Sequence, residues 1–87
     1  MKPNYPENVI VTVRLRTRNL EEDVRLAADG VFKNWLPELT WVLNKHRGTH
    51  LDPRTLTVSY KGRVLQSNDT LASLGAWDGS VLLLEER

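Results

Sequence analysis

Residues 56–65 read LTVSYKGRVL, and this stretch decides how the chain is organised. Its first half alternates apolar and polar residues, which is the period-two pattern of a half-buried strand. Lys61 and Gly62 then form a plausible two-residue turn into a short strand over residues 63–65. The sequence therefore predicts a β-hairpin here, and neighbouring segments must supply the rest of a sheet.

Two further strands are predicted nearer the N-terminus. The segment that begins at Val9 and the segment that ends at Ala28 both alternate apolar with polar residues. The inward-facing residues are Val9, Val11, Val13, Leu15, Val24, Leu26 and Ala28. Because the polar connection between the segments is short, we expect an antiparallel hairpin.

One amphipathic helix is predicted to begin near residues 31–33 and to end near Lys45, with Gly48 as its left-handed cap. Its apolar residues recur at spacings of three and four and fall within an arc of about 120°. They are Phe32, Trp35, Leu36, Leu39, Val42 and Leu43. We expect this stripe, Trp35 included, to face the core.

The C-terminal segment completes the predicted sheet. Thr70–Leu74 is predicted to form a single helical turn, and residues 81–85 form the most apolar strand. We expect that strand to be central and parallel to the first strand, since a long crossover joins them. The result is an α+β roll with a mixed four- to five-stranded sheet packed on one main helix. Residues 1–8 are expected to be a flexible lead, and residues 9–87 the domain.

Composition excludes several classes of protein. The 87 residues carry a net charge of +1 and no cysteine, so disulfide scaffolds, thiolate nucleophiles and cysteine-based zinc sites are excluded. The N-terminus is polar and contains proline, unlike a signal peptide. The longest apolar run, residues 81–84, is too short to cross a bilayer. We expect a cytoplasmic domain with no membrane insertion.

Several motifs together resemble one family. Residues 23–29 read DVRLAAD, residues 36–39 read LPEL, and the hairpin stretch is followed by a leucine-rich last strand. In this order they are similar to the YukD-like bacterial ubiquitin-like proteins of type VII secretion. The resemblance implies a ubiquitin-like β-grasp fold over residues 9–87. It also implies a non-enzymatic accessory or regulatory role, with components of the secretion machine as partners.

An alternative function is that of a ubiquitin-like modifier, served by an activating and a conjugating enzyme. Conjugated relatives of ubiquitin carry a Gly-Gly tail, whereas this sequence ends Glu85-Glu86-Arg87 with no glycine after Gly79. As a modifier, the chain would therefore have to be processed or use different chemistry at these residues.

No catalytic, cofactor-binding or metal-binding constellation is evident. His46 and His50 are four residues apart, but Gly48 lies between them, and we interpret them as two loop histidines at the end of the helix. Arg14, Arg16 and Arg18 form a basic stripe, which the acidic residues 21–23 on the same hairpin should neutralise. Nucleic acid is therefore a third and weaker partner hypothesis.

A protein-docking surface is the better hypothesis. Val81 and Leu83 form the outward face of the last strand, which no second helix covers, and Trp41 falls on the back of the helix. Ser59, Lys61 and Arg63 are expected to rim the strand surface. The partner is another protein or a second copy of the chain.

Overall fold

The computed structural model describes residues 7–87, so the first six residues of the lead predicted over residues 1–8 lie outside the described residues. The structure contains five strands, one long helix and one short helix. They are β1 (Asn8–Leu15), β2 (Leu20–Ala27), α1 (Phe32–Arg47), β3 (Leu56–Tyr60), β4 (Arg63–Val64), α2 (Leu71–Leu74) and β5 (Val81–Glu86). Asn8, predicted to belong to the lead, is the first residue of β1 and pairs with Ala27.

The sheet has the strand order β2-β1-β5-β3-β4. Strand β1 pairs antiparallel with β2 and parallel with β5, and β3 pairs antiparallel with both β5 and β4. The predicted central position of the last strand is therefore confirmed. The mixed sheet packed on one helix also has the predicted α+β architecture.

The core lies between the inner face of the sheet and α1. The inward residues of β1 are fully buried, as the alternation predicts, and Leu82 and Leu84 of β5 are fully buried as well. Trp35 is 3% exposed, which confirms its predicted place in the core. Phe32 packs against the core while partly exposed, and its ring meets Trp35 edge to face at 5.0 Å between centroids.

Helix α1 extends two residues beyond the predicted end. It closes at Gly48, whose φ of 67° gives the left-handed conformation and whose N–H donates to the Asn44 carbonyl at 3.0 Å. Thr40 is buried although the apolar pattern omits it, because its hydroxyl donates to the Leu36 carbonyl at 2.7 Å. A short polar side chain satisfied within its own helix is as easily buried as an apolar one.

The two turns that frame the C-terminal half follow the sequence. Lys61 and Gly62 both have positive φ, 50° and 81°, which is the backbone of a tight hairpin turn. Thr70 caps α2, because its side-chain hydroxyl accepts a hydrogen bond from the Ser73 N–H at 2.9 Å. In return, the Ser73 hydroxyl accepts a hydrogen bond from the Thr70 N–H.

Candidate functional site

The outer face of the sheet brings part of the predicted docking surface together. In register across four strands, Arg14 lies beside Leu83, Leu83 beside Ser59, and Ser59 beside Val64. Val81 lies one step along β5, beside Thr12. Side chains at these positions point away from the core because Leu82 and Leu84 point into it.

An open groove runs over this face at the end where β5 begins. We call it the outer groove and define it by Arg14, Lys61, Trp77, Val81 and Leu83, which line it together with the glycine turns on either side. Trp77 is 51% exposed. The groove thus combines an aromatic ring and two aliphatic side chains with two cations at its sides.

Val81 and Leu83 are half-buried, whereas a face without cover would have left them exposed. The neighbouring strands on both sides of β5 account for this, since a central strand is flanked laterally even where no layer lies above it. The most exposed large apolar residues of the described chain are Ile10, Trp41, Val64 and Trp77.

The predicted rim is only partly assembled. Lys61 lines the outer groove, and its Nζ lies 5.4 Å from the centroid of the Tyr60 ring. Arg63 instead directs its guanidinium to Asp69, at 3.2 Å between Nη2 and Oδ1. Ser59 is the register neighbour of Leu83 rather than a residue that lines the groove.

Trp41 lies on a separate surface. It is 62% exposed on the back of α1, and the Nζ of Lys45 sits 4.8 Å from its ring centroid. Pro37, Glu38 and Val42 surround it on the same helix. Val42, which was predicted to face the core, is therefore half-buried beside Trp41 instead. Because α1 packs on the inner face of the sheet, the structure does not bring Trp41 together with Val81 and Leu83.

Trp77 lines the outer groove but was not predicted to belong to a docking surface. It lies in the connection between α2 and β5, where no helical or strand period applies. Asp78 next to it accepts a hydrogen bond from the Ile10 N–H at 2.8 Å, which fixes this connection against β1. The sequence offers one signal for this site, an aromatic residue before an Asp-Gly turn. The residues that lie near Trp77 in the groove, however, are set by the order of the strands.

The acidic residues of the first hairpin do not neutralise the basic stripe in the expected way. Glu21 does pair with Arg14, at 2.8 Å. Glu22, however, points inward and binds His46 and Arg47 of α1, at 2.6 and 2.7 Å. Arg18 pairs across the molecule with Glu86, at 3.0 Å.

These ion pairs change the titration of two carboxylates. Hydrogen bonds from His46 and Arg47 hold the pKa of Glu22 below its ordinary value. A hydrogen bond from Arg18, with a further one from Thr17, lowers the pKa of Glu86. His46 lies in the last turn of α1 and is hydrogen-bonded to Glu22, which corrects its interpretation as a loop residue.

The residues that a modifier would use are tied to the sheet. Glu86 is the last residue of β5 and is held by Arg18. The Arg87 N–H donates to the Thr55 carbonyl at 2.8 Å, and its guanidinium donates to the Arg54 carbonyl at 2.8 Å. Glu85 is exposed and pairs in register with Thr57.

The described part of the chain contains neither a metal-binding cluster nor a membrane-spanning helix. Across residues 7–87, no three His, Asp or Glu side chains are grouped so that they could hold a metal ion. Nor does any helix in this range have the length and apolar character needed to cross a membrane.

Comparison with solved structures gives the fold. The ubiquitin of Caldiarchaeum subterraneum superposes with a TM-score of 0.75 at 22% identity, covering 92% of this chain and 94% of that chain. The N-terminal ubiquitin-like domain in the 4931431F19Rik protein gives 0.75 at 20% identity, covering 100% of this chain and 81% of that one. A protein designed on the basis of ubiquitin gives 0.71 at 27% identity, covering 94% and 92%. The fold is therefore the ubiquitin-like β-grasp.

Comparison with curated protein sequences gave no match. The family model for YukD, a protein of the WXG100 secretion system, matches residues 8–84. That range runs from the first residue of β1 into β5, and so contains nearly every element of the sheet and both helices. The chain belongs to the YukD family, a ubiquitin-like family tied to WXG100 secretion.

Proposed function

We propose that the chain is a non-enzymatic protein-interaction domain that acts as an accessory or regulatory component of a WXG100 secretion system. The observation that carries the proposal is the family match over residues 8–84. The proposed location is the cytoplasm, as the family resemblance implies. The proposed partner is a protein component of the secretion machine.

The outer groove is the proposed docking surface on this domain. Trp77, Val81 and Leu83 supply apolar contact area, and an aromatic residue buries a large area for little loss of rotamer entropy. Lys61 at the side of the groove favours a partner segment that carries an acidic residue beside apolar ones, whereas Arg14 is already paired with Glu21. Ser59 and Arg63 lie next to this surface, and Trp41 is proposed as a second, separate contact site.

The decisive experiment is reconstitution with the secretion ATPase and with the channel subunit of the same system. Each purified component is titrated against the full chain, and the dissociation constant is measured by calorimetry. We expect one component to bind and Leu83→Asp to weaken that binding, because the charge is placed in the centre of the groove. Leu83→Thr, which suits a β-strand, tests the same contact with less risk to folding.

The matched control is Ala27→Asp, which places the same charge at an exposed position on the same face of the sheet, on β2 and away from the groove. It should bind as the parent chain does. Binding that survives both Leu83 variants would move the docking surface elsewhere on the domain. If neither component binds the parent chain, the secretion role itself is wrong.

A covalent-adduct assay distinguishes the alternative function, a ubiquitin-like modifier, from the proposed interaction domain. Incubation with ATP and a bacterial activating enzyme would give a covalent adduct at the C-terminus of a modifier. No adduct should form if the domain acts only by non-covalent binding, and an adduct would favour the modifier function instead.

A further inference from the structure

Strand β2 forms one edge of the sheet over eight residues, Leu20–Ala27. The opposite edge, β4, has only two residues. An exposed edge strand presents backbone N–H and C=O groups that can pair with another strand. The long edge of this small domain is therefore where an additional strand would be added.

The register of the first hairpin shows which backbone groups face outward. In β1, Thr12 and Ile10 turn their backbone groups toward β5, since Thr12 N–H donates to Ser80 and Ile10 C=O accepts from Gly79. Their partners in β2 are Asp23 and Arg25. In an antiparallel pair, opposite residues bond each other or both turn away. Asp23 and Arg25 therefore direct their N–H and C=O groups to the free edge.

Both ends of this edge are already occupied. At one end, the guanidinium of Arg47 donates to the Glu21 carbonyl at 2.6 Å. At the other end, the Gly30 N–H donates to the Ala27 carbonyl at 3.3 Å. Among residues 7–87 no group bonds the edge-facing backbone of Asp23 or Arg25. The open part of the edge is thus centred on Val24.

We propose that two copies of the chain associate by antiparallel pairing of their β2 strands, with Asp23 of each copy opposite Arg25 of the other. The four free backbone groups of each copy then bond those of its partner about a two-fold axis at Val24. Such an interface is isologous, and each contact occurs twice. The proposal goes beyond the secretion role and does not depend on it.

Charge selects this register over its neighbours. Asp23 and Arg25 are both exposed on the outer face of β2, where directly opposite side chains lie about 5 Å apart. In the proposed register, both pairs across the axis join a carboxylate to a guanidinium. A shift of two residues in one direction opposes Asp23 to Asp23 and would need the Glu21 carbonyl, which Arg47 already occupies. A shift in the other direction opposes Arg25 to Arg25. Like charges directly opposite one another are destabilising.

The side chain of Arg25 supports a second copy as the occupant. Within the described residues it makes no ion pair or hydrogen bond, whereas Arg14 and Arg18 on the same hairpin are both paired. Asp23 accepts one hydrogen bond, from the Thr12 hydroxyl at 2.8 Å, and keeps its second oxygen for a partner. The paired strands are short, so we expect a weak dimer that forms at high concentration.

The test uses charge reversal in the full chain, with sedimentation equilibrium as the readout. Arg25→Asp gives an edge with two acidic residues, and Asp23→Arg gives an edge with two basic ones. Each variant alone should associate at least about tenfold more weakly than the parent. An equimolar mixture of the two should recover association, because every cross-strand pair is again of opposite charge.

Arg16→Asp is the matched control, since it reverses an exposed charge outside the edge and should associate as the parent does. Amide exchange adds an independent readout: the N–H groups of Asp23 and Arg25 should become protected as concentration rises. A parent chain that stays monomeric at millimolar concentration overturns the proposal. So does an association that Arg25→Asp leaves unchanged, or a mixture of variants that fails to recover it.

Discussion

Trp35 is a well-packed core residue whose one polar group lacks a hydrogen-bond partner. Its side chain is buried under the sheet and against Phe32. Its indole Nε1–H is buried without a hydrogen-bond partner. A buried donor left unpaired costs roughly 1–3 kcal/mol. The contribution of Trp35 to stability therefore comes from the volume of its ring and not from its polar atom.

Substitutions of Trp35 should separate these two effects. Trp35→Ala removes the ring and should lower the free energy of unfolding by about 3–5 kcal/mol. Trp35→Phe should cost clearly less, because it keeps much of the ring and removes the unpaired N–H. Urea denaturation measures both values. As a control, Trp41→Ala on the exposed helix surface should change stability by less than about 1 kcal/mol. Equal losses in the two Trp35 variants would contradict this account.

At the scale of elements, Glu22 joins β2 to the end of α1. An inward-pointing charge on an edge strand is normally unfavourable, but His46 and Arg47 in the last turn of α1 both bind it. Its side chain is 15% exposed, so these contacts are partly shielded from solvent. In the same arrangement, the guanidinium of Arg47 also donates a hydrogen bond to the backbone carbonyl of Glu21.

The lowered pKa of Glu22 predicts an acid-dependent loss of stability. A carboxylate whose pKa is lower in the folded state stabilises the fold fully above its unfolded pKa. That contribution is lost as the pH falls through the folded pKa. The stability difference between the parent and Glu22→Gln should therefore be largest near neutral pH and shrink in acid. Thermal unfolding of both proteins at several pH values measures it, and a difference that does not change with pH would contradict this account.

The hairpin turn between β3 and β4 predicts a contrast between two glycines. Gly62 has a φ of 81°, so Gly62→Ala should destabilise by about 1 kcal/mol or more through backbone strain. Gly30 does not have positive φ, and a Cβ there meets its nearest atom at an ordinary 3.5 Å. Gly30→Ala should therefore be neutral or slightly stabilising. The denaturant midpoints of the two variants measure this difference in stability. An equal loss of stability at both positions would contradict the account of backbone strain at Gly62.

At the scale of the whole molecule, the exposed apolar groups fall on two sides. The outer groove lies on the open face of the sheet, whereas Trp41 lies on the back of the helix that covers the other face. The core layer separates the two surfaces. One small partner segment therefore could not contact both surfaces at once.

This separation predicts additive effects on binding. If a large partner contacts both surfaces, the losses of binding free energy in Leu83→Asp and Trp41→Ala should add in the double variant, because distant sites are energetically independent. Calorimetric titration of the parent, both single variants and the double variant gives the coupling. A coupling well above about 0.5 kcal/mol would show that the two sites are linked.

Much of the fold could be predicted because its signals are local. The alternation in β1, the apolar stripe of α1, the positive-φ turn at Gly62 and the cap at Thr70 each depend on residues within a few positions of one another. The crossover rule then placed β5 beside β1. The family resemblance was confirmed for the same reason, since its motifs follow these local features along nearly the whole chain.

The candidate site was harder to predict because its members are distant in sequence. Trp77 meets Lys61 and Arg14 in the outer groove, and Arg18 meets Glu86, through the order of the strands. The sequence by itself determined the elements, the buried faces and the family, because periodicity and turn chemistry act within a few residues. Only the tertiary structure decided which charges pair, which face stays open and which strand edge is free, because these depend on how distant segments are placed side by side.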